Sequence, residues 1–116
     1  MERALGIGGV FFRAKDAEAL NRWYAEQLGV AGIEIWHQEP GPTVWSAFGE
    51  DTTYFGRAEQ QTMVNFRVRD LDAMLAQLRA AGADVDDKTE SDEQGRFGWA
   101  SDPEGNRFEL WEPADA

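Results

Sequence analysis

One carboxylate in this chain stands where chemistry is possible. It is Glu109, in the run Ser101-Asp102-Pro103-Glu104-Gly105-Asn106-Arg107-Phe108-Glu109-Leu110-Trp111-Glu112-Pro113. Asp-Pro-Glu-Gly reads as a tight turn, because Pro103 presets φ at the second position and Gly105 accepts the positive φ at which the chain reverses. After it the residue types alternate, with Phe108 and Leu110 on one face and Arg107, Glu109 and Trp111 on the other. That pattern predicts a strand with one apolar face and a carboxylate midway along the opposite one. A carboxylate so placed can act as a general base or accept a ligand's hydrogen bond. The bland alternative is pairing with a neighbouring arginine or with water.

Two further stretches supply companions for it. In residues 9–14, Gly9, Phe11 and Arg13 share one face, opposite Val10, Phe12 and Ala14; in 63–68, Met63, Asn65 and Arg67 lie opposite Val64, Phe66 and Val68. Strand parity puts the more uniformly apolar set against helices and leaves the first set on the open side. Arg13, Arg67 and Arg107 either edge a cavity and favour an anionic ligand or pair with acids at the sheet rim, the commoner use. Trp36, Trp45, Trp99 and Trp111, with Phe11 and Tyr54, either line an aromatic pocket or pack core and interface. Trp111, sharing a face with Glu109, is the one read as cavity-lining. His37, the single imidazole, reads as a loop-edge residue. The stretch 84–93 has six acids and one Lys but not the ligand spacing or glycine of a calcium loop, so it reads as a solvated loop. Neither a phosphate-binding glycine loop nor a nucleophile elbow is present.

The elements that must position these residues come in duplicate. Phe12-Arg13-Ala14-Lys15-Asp16 recurs as Phe66-Arg67-Val68-Arg69-Asp70, offset by 54 residues (70 − 16). Each Asp is placed to N-cap a helix, with Glu18 or Asp72 in the first turn. Helical faces follow: Leu20, Trp23, Tyr24 and Leu28, then Leu71, Met74, Leu75 and Leu78. Gly29 and Gly82 suit the left-handed position that ends each helix. Short strands are expected at about 33–37, 43–48 and 52–55 in the first half, and at 83–86, 96–101 and 107–112 in the second. This makes an α+β chain of two βαβββ modules, about 1–58 and 59–116, in a single domain, joined by a polar connector at 57–61.

Composition narrows the partners. The chain has 116 residues, 42% of them hydrophobic, with seven Phe, five Trp and no Cys. Its size suits one domain with a real core, and the lack of cysteine suits a cytoplasmic, reducing setting. A net charge of −11 repels nucleic acid and anionic membranes. The halves differ, at −3 for residues 1–58 (five basic, eight acidic) and −8 for 59–116 (six basic, fourteen acidic).

The duplicated βαβββ pattern, with Asp102-Pro103-Glu104-Gly105-Asn106 and Phe108-Glu109-Leu110-Trp111-Glu112-Pro113 at its end, resembles the vicinal oxygen chelate superfamily of glyoxalases, bleomycin-resistance proteins and extradiol dioxygenases. The resemblance implies a curved sheet of two half-barrels around a cavity, usually in a homodimer. It places metal ligands on the first and last strands of each module. Here the first-strand positions hold Gly9 and Met63, the last-strand position of the second half holds Glu109, and its first-half counterpart near 53–55 has neither carboxylate nor imidazole. One ligand of four does not hold a catalytic zinc, so no metal cofactor is expected. A pocket bordered by Phe11, Asn65, Glu109 and Trp111 is expected instead. Three functions fit: a metal-free small-molecule binder of the bleomycin-resistance type, a lyase or isomerase using Glu109 as base, or a non-catalytic dimerising module.

Overall fold

Asp16 and Asp70 each open a helix, for the reason their sequence gives. In the computed structural model, which describes residues 1–30 and 35–115, the elements run α1 (Ala17–Leu28), β1 (Asn65–Arg67), α2 (Leu71–Ala80), β2 (Asp84–Val85), β3 (Glu90–Asp92), β4 (Gly95–Ser101) and β5 (Arg107–Pro113). The Asp16 side chain accepts from Ala19 N at 3.1 Å and that of Asp70 from Ala73 N at 3.0 Å, satisfying backbone donors that a helix start leaves unpaired. Gly29 closes α1 at φ 72° and Gly82 follows α2 at φ 82°.

Two long-range contacts tie these helix starts to the C-terminal strands. Glu104, from the turn before β5, accepts from Lys15 N at 2.6 Å and Asp16 N at 3.0 Å. Glu112 of β5 accepts from Leu71 N at 2.9 Å. An exposed bidentate pair, Arg96 to Asp72 at 2.9 and 3.2 Å, links β4 to the first turn of α2. It holds the Asp72 carboxyl below the usual carboxylate range, through the hydrogen bonds first and charge second.

The fold is α+β, with a curved, unclosed sheet in the order β1-β5-β4-β2, β3 also pairing with β4. β1 runs parallel to β5 and the other pairs are antiparallel. One face meets both helices. Phe108, Leu110 and Ala100 from the sheet pack with Leu20, Tyr24, Leu71, Leu75 and Leu78. Each such leucine contributes roughly 1.5–3 kcal/mol by burial. Gly98 is in this layer because α2 comes so close: a Cβ there would lie 3.2–3.4 Å from methyls of Leu75 and Leu71.

The sequence expectations meet this structure unevenly. The strands expected at 83–86, 96–101 and 107–112 are β2, β4 and β5. The acidic stretch 84–93 is not wholly a loop: Glu90–Asp92 form β3 against β4, with Glu90 opposite Phe97. Backbone pairing at an edge leaves all three β3 side chains exposed, so the acids keep their water while the strand forms. In the first half, 43–48 and 52–55 are not strands; of 33–37, residues 33 and 34 lie outside the described residues and 35–37 form no strand. Residues 1–14 also join no ladder among the described residues. Gly6, Gly8 and Gly9 weaken that segment's hold on extended geometry. Pro40 and Pro42 remove two ladder donors before 43–48. The repeat is therefore expressed fully in its helices and, among the described residues, only by the second half in its strands.

Candidate functional site

Glu109 is the centre of the sheet face that the helices leave open. On β5 it stands opposite Asn65 of β1 on one side and Trp99 of β4 on the other. Trp111, two residues along, faces Phe97 across the same ladder, and these rings lie 6.1 Å apart and nearly parallel. Only 9% of Glu109 is exposed. A buried carboxylate needs its charge dispersed by hydrogen bonds or a counter-ion. Here the donors are neutral. Asn65 Nδ2 donates to Oε1 at 2.6 Å, Trp99 Nε1 donates to Oε2 at 3.0 Å, and the Tyr54 hydroxyl donates to Oε2 as well. None of the ion pairs among the described residues includes Glu109.

Tyr54 reaches the site from the first half, in a turn whose Thr52 Oγ1 accepts from Tyr54 N at 3.2 Å. Its ring stacks on Phe48 at 5.5 Å and meets Trp99 edge-on at 6.0 Å. Burial first, then the hydrogen bond and charge of Glu109, push its hydroxyl well above the ordinary phenol range, and the charge of Glu90 adds to this. The phenol therefore stays a proton donor to Glu109. Sequence reasoning placed Tyr54 and Trp99 only among possible wall aromatics and missed their role as donors. A signal existed for Tyr54, since the 54-residue offset carries Glu109 back to within one position of it.

The other expected site residues are distributed as follows. Asn65, Arg67, Arg107, Glu109 and Trp111 share the open face. Trp111 is buried and donates from Nε1 to Gln94 O at 2.9 Å. Arg107 pairs with Asp86 at 3.0 Å, donates to Tyr54 O at 3.2 Å and lies 5.6 Å from the Trp99 ring centre. Arg67 donates to Glu39 O at 3.0 Å. Phe11, at 95% exposure, and Arg13 stand in solvent, apart from the buried cluster. Trp36 and Trp45 are exposed, as is His37. Two cavities of about 300 and 520 Å³ lie elsewhere, one by Trp36, Phe66 and Met74, the other by Arg69, Arg96 and Glu112.

Asp102, the second buried carboxylate, has a structural task. Oδ2 accepts from the Tyr24 hydroxyl at 2.7 Å and Asn106 Nδ2 at 2.8 Å, while Oδ1 accepts from Glu104 N at 2.9 Å and Asn106 N at 3.0 Å. The Asp-Pro-Glu-Gly-Asn turn is thus tied to one buried carboxylate, which fixes where β5 begins and hence where Glu109 falls. Gln60 helps from the connector, receiving Arg107 N at 2.9 Å and donating to Arg107 O at 2.7 Å.

A βα unit followed by antiparallel strands in a curved, unclosed sheet is the arrangement of a glyoxalase/bleomycin-resistance-like fold. The chain belongs to the glyoxalase-like domain family, whose model matches residues 9–111, and through it to the vicinal oxygen chelate superfamily. Three solved structures share the fold. TnmS3, an antibiotic binding protein from Streptomyces sp. CB03234, is 21% identical, with a TM-score of 0.60 over 97% of this chain and 100% of its own. The oxidase ChaP-H1 is 21% identical, with a TM-score of 0.58 over 96% and 98%. A glyoxalase/bleomycin resistance protein/dioxygenase superfamily member from Sphaerobacter thermophilus DSM 20745 is 24% identical, with a TM-score of 0.53 over 85% and 90%. The search of curated proteins returned no match. Among the described residues no helix is long and apolar enough to cross a membrane.

Proposed function

We propose that this chain is a small-molecule-binding protein of the bleomycin-resistance type that anchors an organic ligand at Glu109 without a metal. The observation that carries the reading is the set of neutral donors on Glu109. A carboxylate offers about four acceptor positions, and three are filled by N–H and O–H groups. Those polarised hydrogens stand where a divalent cation would need lone pairs. Gly9 and Met63 add no oxygen or nitrogen ligand, and among the described residues no three His, Asp or Glu side chains gather to hold a metal ion. Among the described residues Oε1 accepts from Asn65 alone, and Asn65 is exposed. Trp99, Trp111, Phe97 and Tyr54 supply the apolar surround such sites use. The likeness to an antibiotic binding protein agrees with this reading.

The protein acts as a homodimer in this proposal. Phe11, Ile35, Val44 and Trp45 are 95%, 82%, 71% and 86% exposed, apolar surface that a second copy of the chain would cover. Among the described residues β1 also has one edge unpaired. Native mass spectrometry of freshly purified protein, with elemental analysis of the same sample, tests the whole reading. A dimer retaining a small organic molecule, with far less than one metal per chain, is expected. One equivalent of zinc, nickel, manganese or iron lost in Glu109→Gln would refute it. Turnover abolished in Glu109→Gln with binding kept would establish the lyase or isomerase alternative.

A further inference from the structure

We infer that the turn 52–57 is a gate over Glu109, latched shut by Arg107, and that a ligand reaches the carboxylate when the turn swings away. The inference rests on the binding reading above and adds how access to that site is controlled. Glu109 is 9% exposed and neither of the two cavities includes it, so the site is closed in this structure. One turn supplies the cover. The Tyr54 hydroxyl donates to Oε2, and the Tyr54 ring meets Trp99 edge-on at 6.0 Å.

The turn is built to move as one piece. Among the described residues its backbone hydrogen bonds are local: Thr52 N donates to Gly49 O at 3.0 Å, and Gly56 N to Thr53 O at 3.1 Å. A swing of the whole turn keeps both. It also keeps the aromatic packing, since Phe48 lies 5.5 Å from Tyr54 and 5.2 Å from Phe55 within the same half. Gln60 is the fixed point, because it receives Arg107 N and donates to Arg107 O. Between it and Tyr54 stands Gly56 at φ 89°, a backbone state that glycine enters freely and that suits a hinge. Opening breaks the Tyr54 bond to Glu109. It also returns water to a buried carboxylate whose donors are all neutral, which offsets part of the loss.

Arg107 supplies the latch. Its Nε donates to Tyr54 O at 3.2 Å, and its Cδ lies 3.2 Å from where a Cβ on Gly56 would stand, so it grips the turn at two points. Nη1 pairs with Asp86 at 3.0 Å, which holds the side chain in that grip. The Asp86 side chain is 42% exposed, so solvent screens the pair and the latch is weak enough to release. Arg107 is in this sense a positioning residue, acting on Glu109 through Tyr54.

Hydrogen exchange of the indole N–H groups, read by NMR on the intact protein, tests the gate without a ligand. Trp99 Nε1 donates to Glu109 under the turn, whereas Trp111 Nε1 donates to Gln94 O. Both tryptophans are buried. The Trp99 indole should exchange at least about tenfold faster than that of Trp111, with little dependence on urea, as a local opening does. Asp86→Ala should speed Trp99 exchange about threefold to tenfold and Tyr54→Phe at least about tenfold, with Trp111 within about twofold in both. Asp86→Ala keeps the backbone bond from Asp86 N to Trp99 O at 2.9 Å, so it serves if Tyr54→Phe melts early. The two indoles exchanging in step, in the parent or in the variants, make the turn a fixed wall and overturn the inference. Trp99 exchange that Asp86→Ala leaves unchanged overturns the latch and the inference with it. Neither result touches the binding reading, which falls instead if native mass spectrometry retains no molecule while the gate still opens.

Discussion

The chain's two tyrosines are its clearest pH reporters, because both donate to buried carboxylates: Tyr24 to Asp102 and Tyr54 to Glu109. Burial first, then the hydrogen bond and charge of the acid, pushes each phenol far above its ordinary value of 10.0. In the unfolded chain both titrate near that value. A folded pKa above the unfolded one means the contribution is intact below about pH 10 and is lost as pH rises towards the folded value, since only the unfolded state sheds the proton. For Tyr24 at about pH 11 the loss is RT ln(1 + 10), about 1.4 kcal/mol. Tyr54 is more open to solvent and adds less. Tyr24 alone should therefore lower Tm by about 6 °C between pH 9 and 11. Thermal melts by circular dichroism measure this, and phenolate absorbance at room temperature gives the second readout. Folded protein should show no phenolate near pH 10, then two equivalents appearing together as it unfolds. Both phenolates titrating near pH 10 with the circular dichroism intact would refute the reasoning.

Three other outcomes follow from the packing. Asp102→Ala should cost about 3 kcal/mol in urea denaturation, because it strands the Tyr24 hydroxyl and two backbone N–H groups; a loss under about 1 kcal/mol would show that this tie is not structural. Gly98→Val should cost about 1–3 kcal/mol by forcing Leu71 and Leu75 off the sheet, whereas Gly98→Ala should cost less, as those methyls need yield only slightly. Glu104→Gln should cost about 1 kcal/mol, read as a shift in denaturation midpoint at constant slope, since its carboxylate receives both backbone N–H groups that precede α1.

Local signals carried the helices and the last two long strands. Asp16 and Asp70 cap by their own side chains three residues on, and in β5 Phe108 and Leu110 alternate with Arg107, Glu109 and Trp111, so neither needed tertiary information. Parity also put Asn65 and Glu109 on one face, because a parallel ladder in register brings like-facing residues side by side. What local pattern could not carry was contact across the chain. Asp102 read as a turn former, yet its Tyr24 partner lies 78 residues away. The first-half strands read well by alternation, but a strand needs a ladder partner, and nothing in 43–48 or 52–55 specifies one. The acidic loop erred the other way: exposed side chains concealed a strand held by backbone alone.

The two tyrosine–carboxylate bonds also connect fold to function. Each runs from the first half to the second, Tyr24 to Asp102 from α1 and Tyr54 to Glu109 from the turn after residue 51. The first holds the start of β5, and the second closes over its midpoint. Glu109 is therefore a tie between halves, and in the proposed function it is also the ligand's anchor. Glu109→Leu removes both, leaving Asn65, Tyr54 and Trp99 donors without an acceptor, so a loss of binding in that variant reports partly on fold. Glu109→Gln keeps one acceptor oxygen for Tyr54 or Trp99 while removing the charge. A protein that needs the charge for its ligand should lose affinity in Glu109→Gln while Tyr54 remains shielded from solvent, and fluorescence quenching of Trp99 and Trp111 would separate these two effects. If affinity and shielding fall together, the carboxylate serves the fold, and ligand selection resides in the aromatic walls.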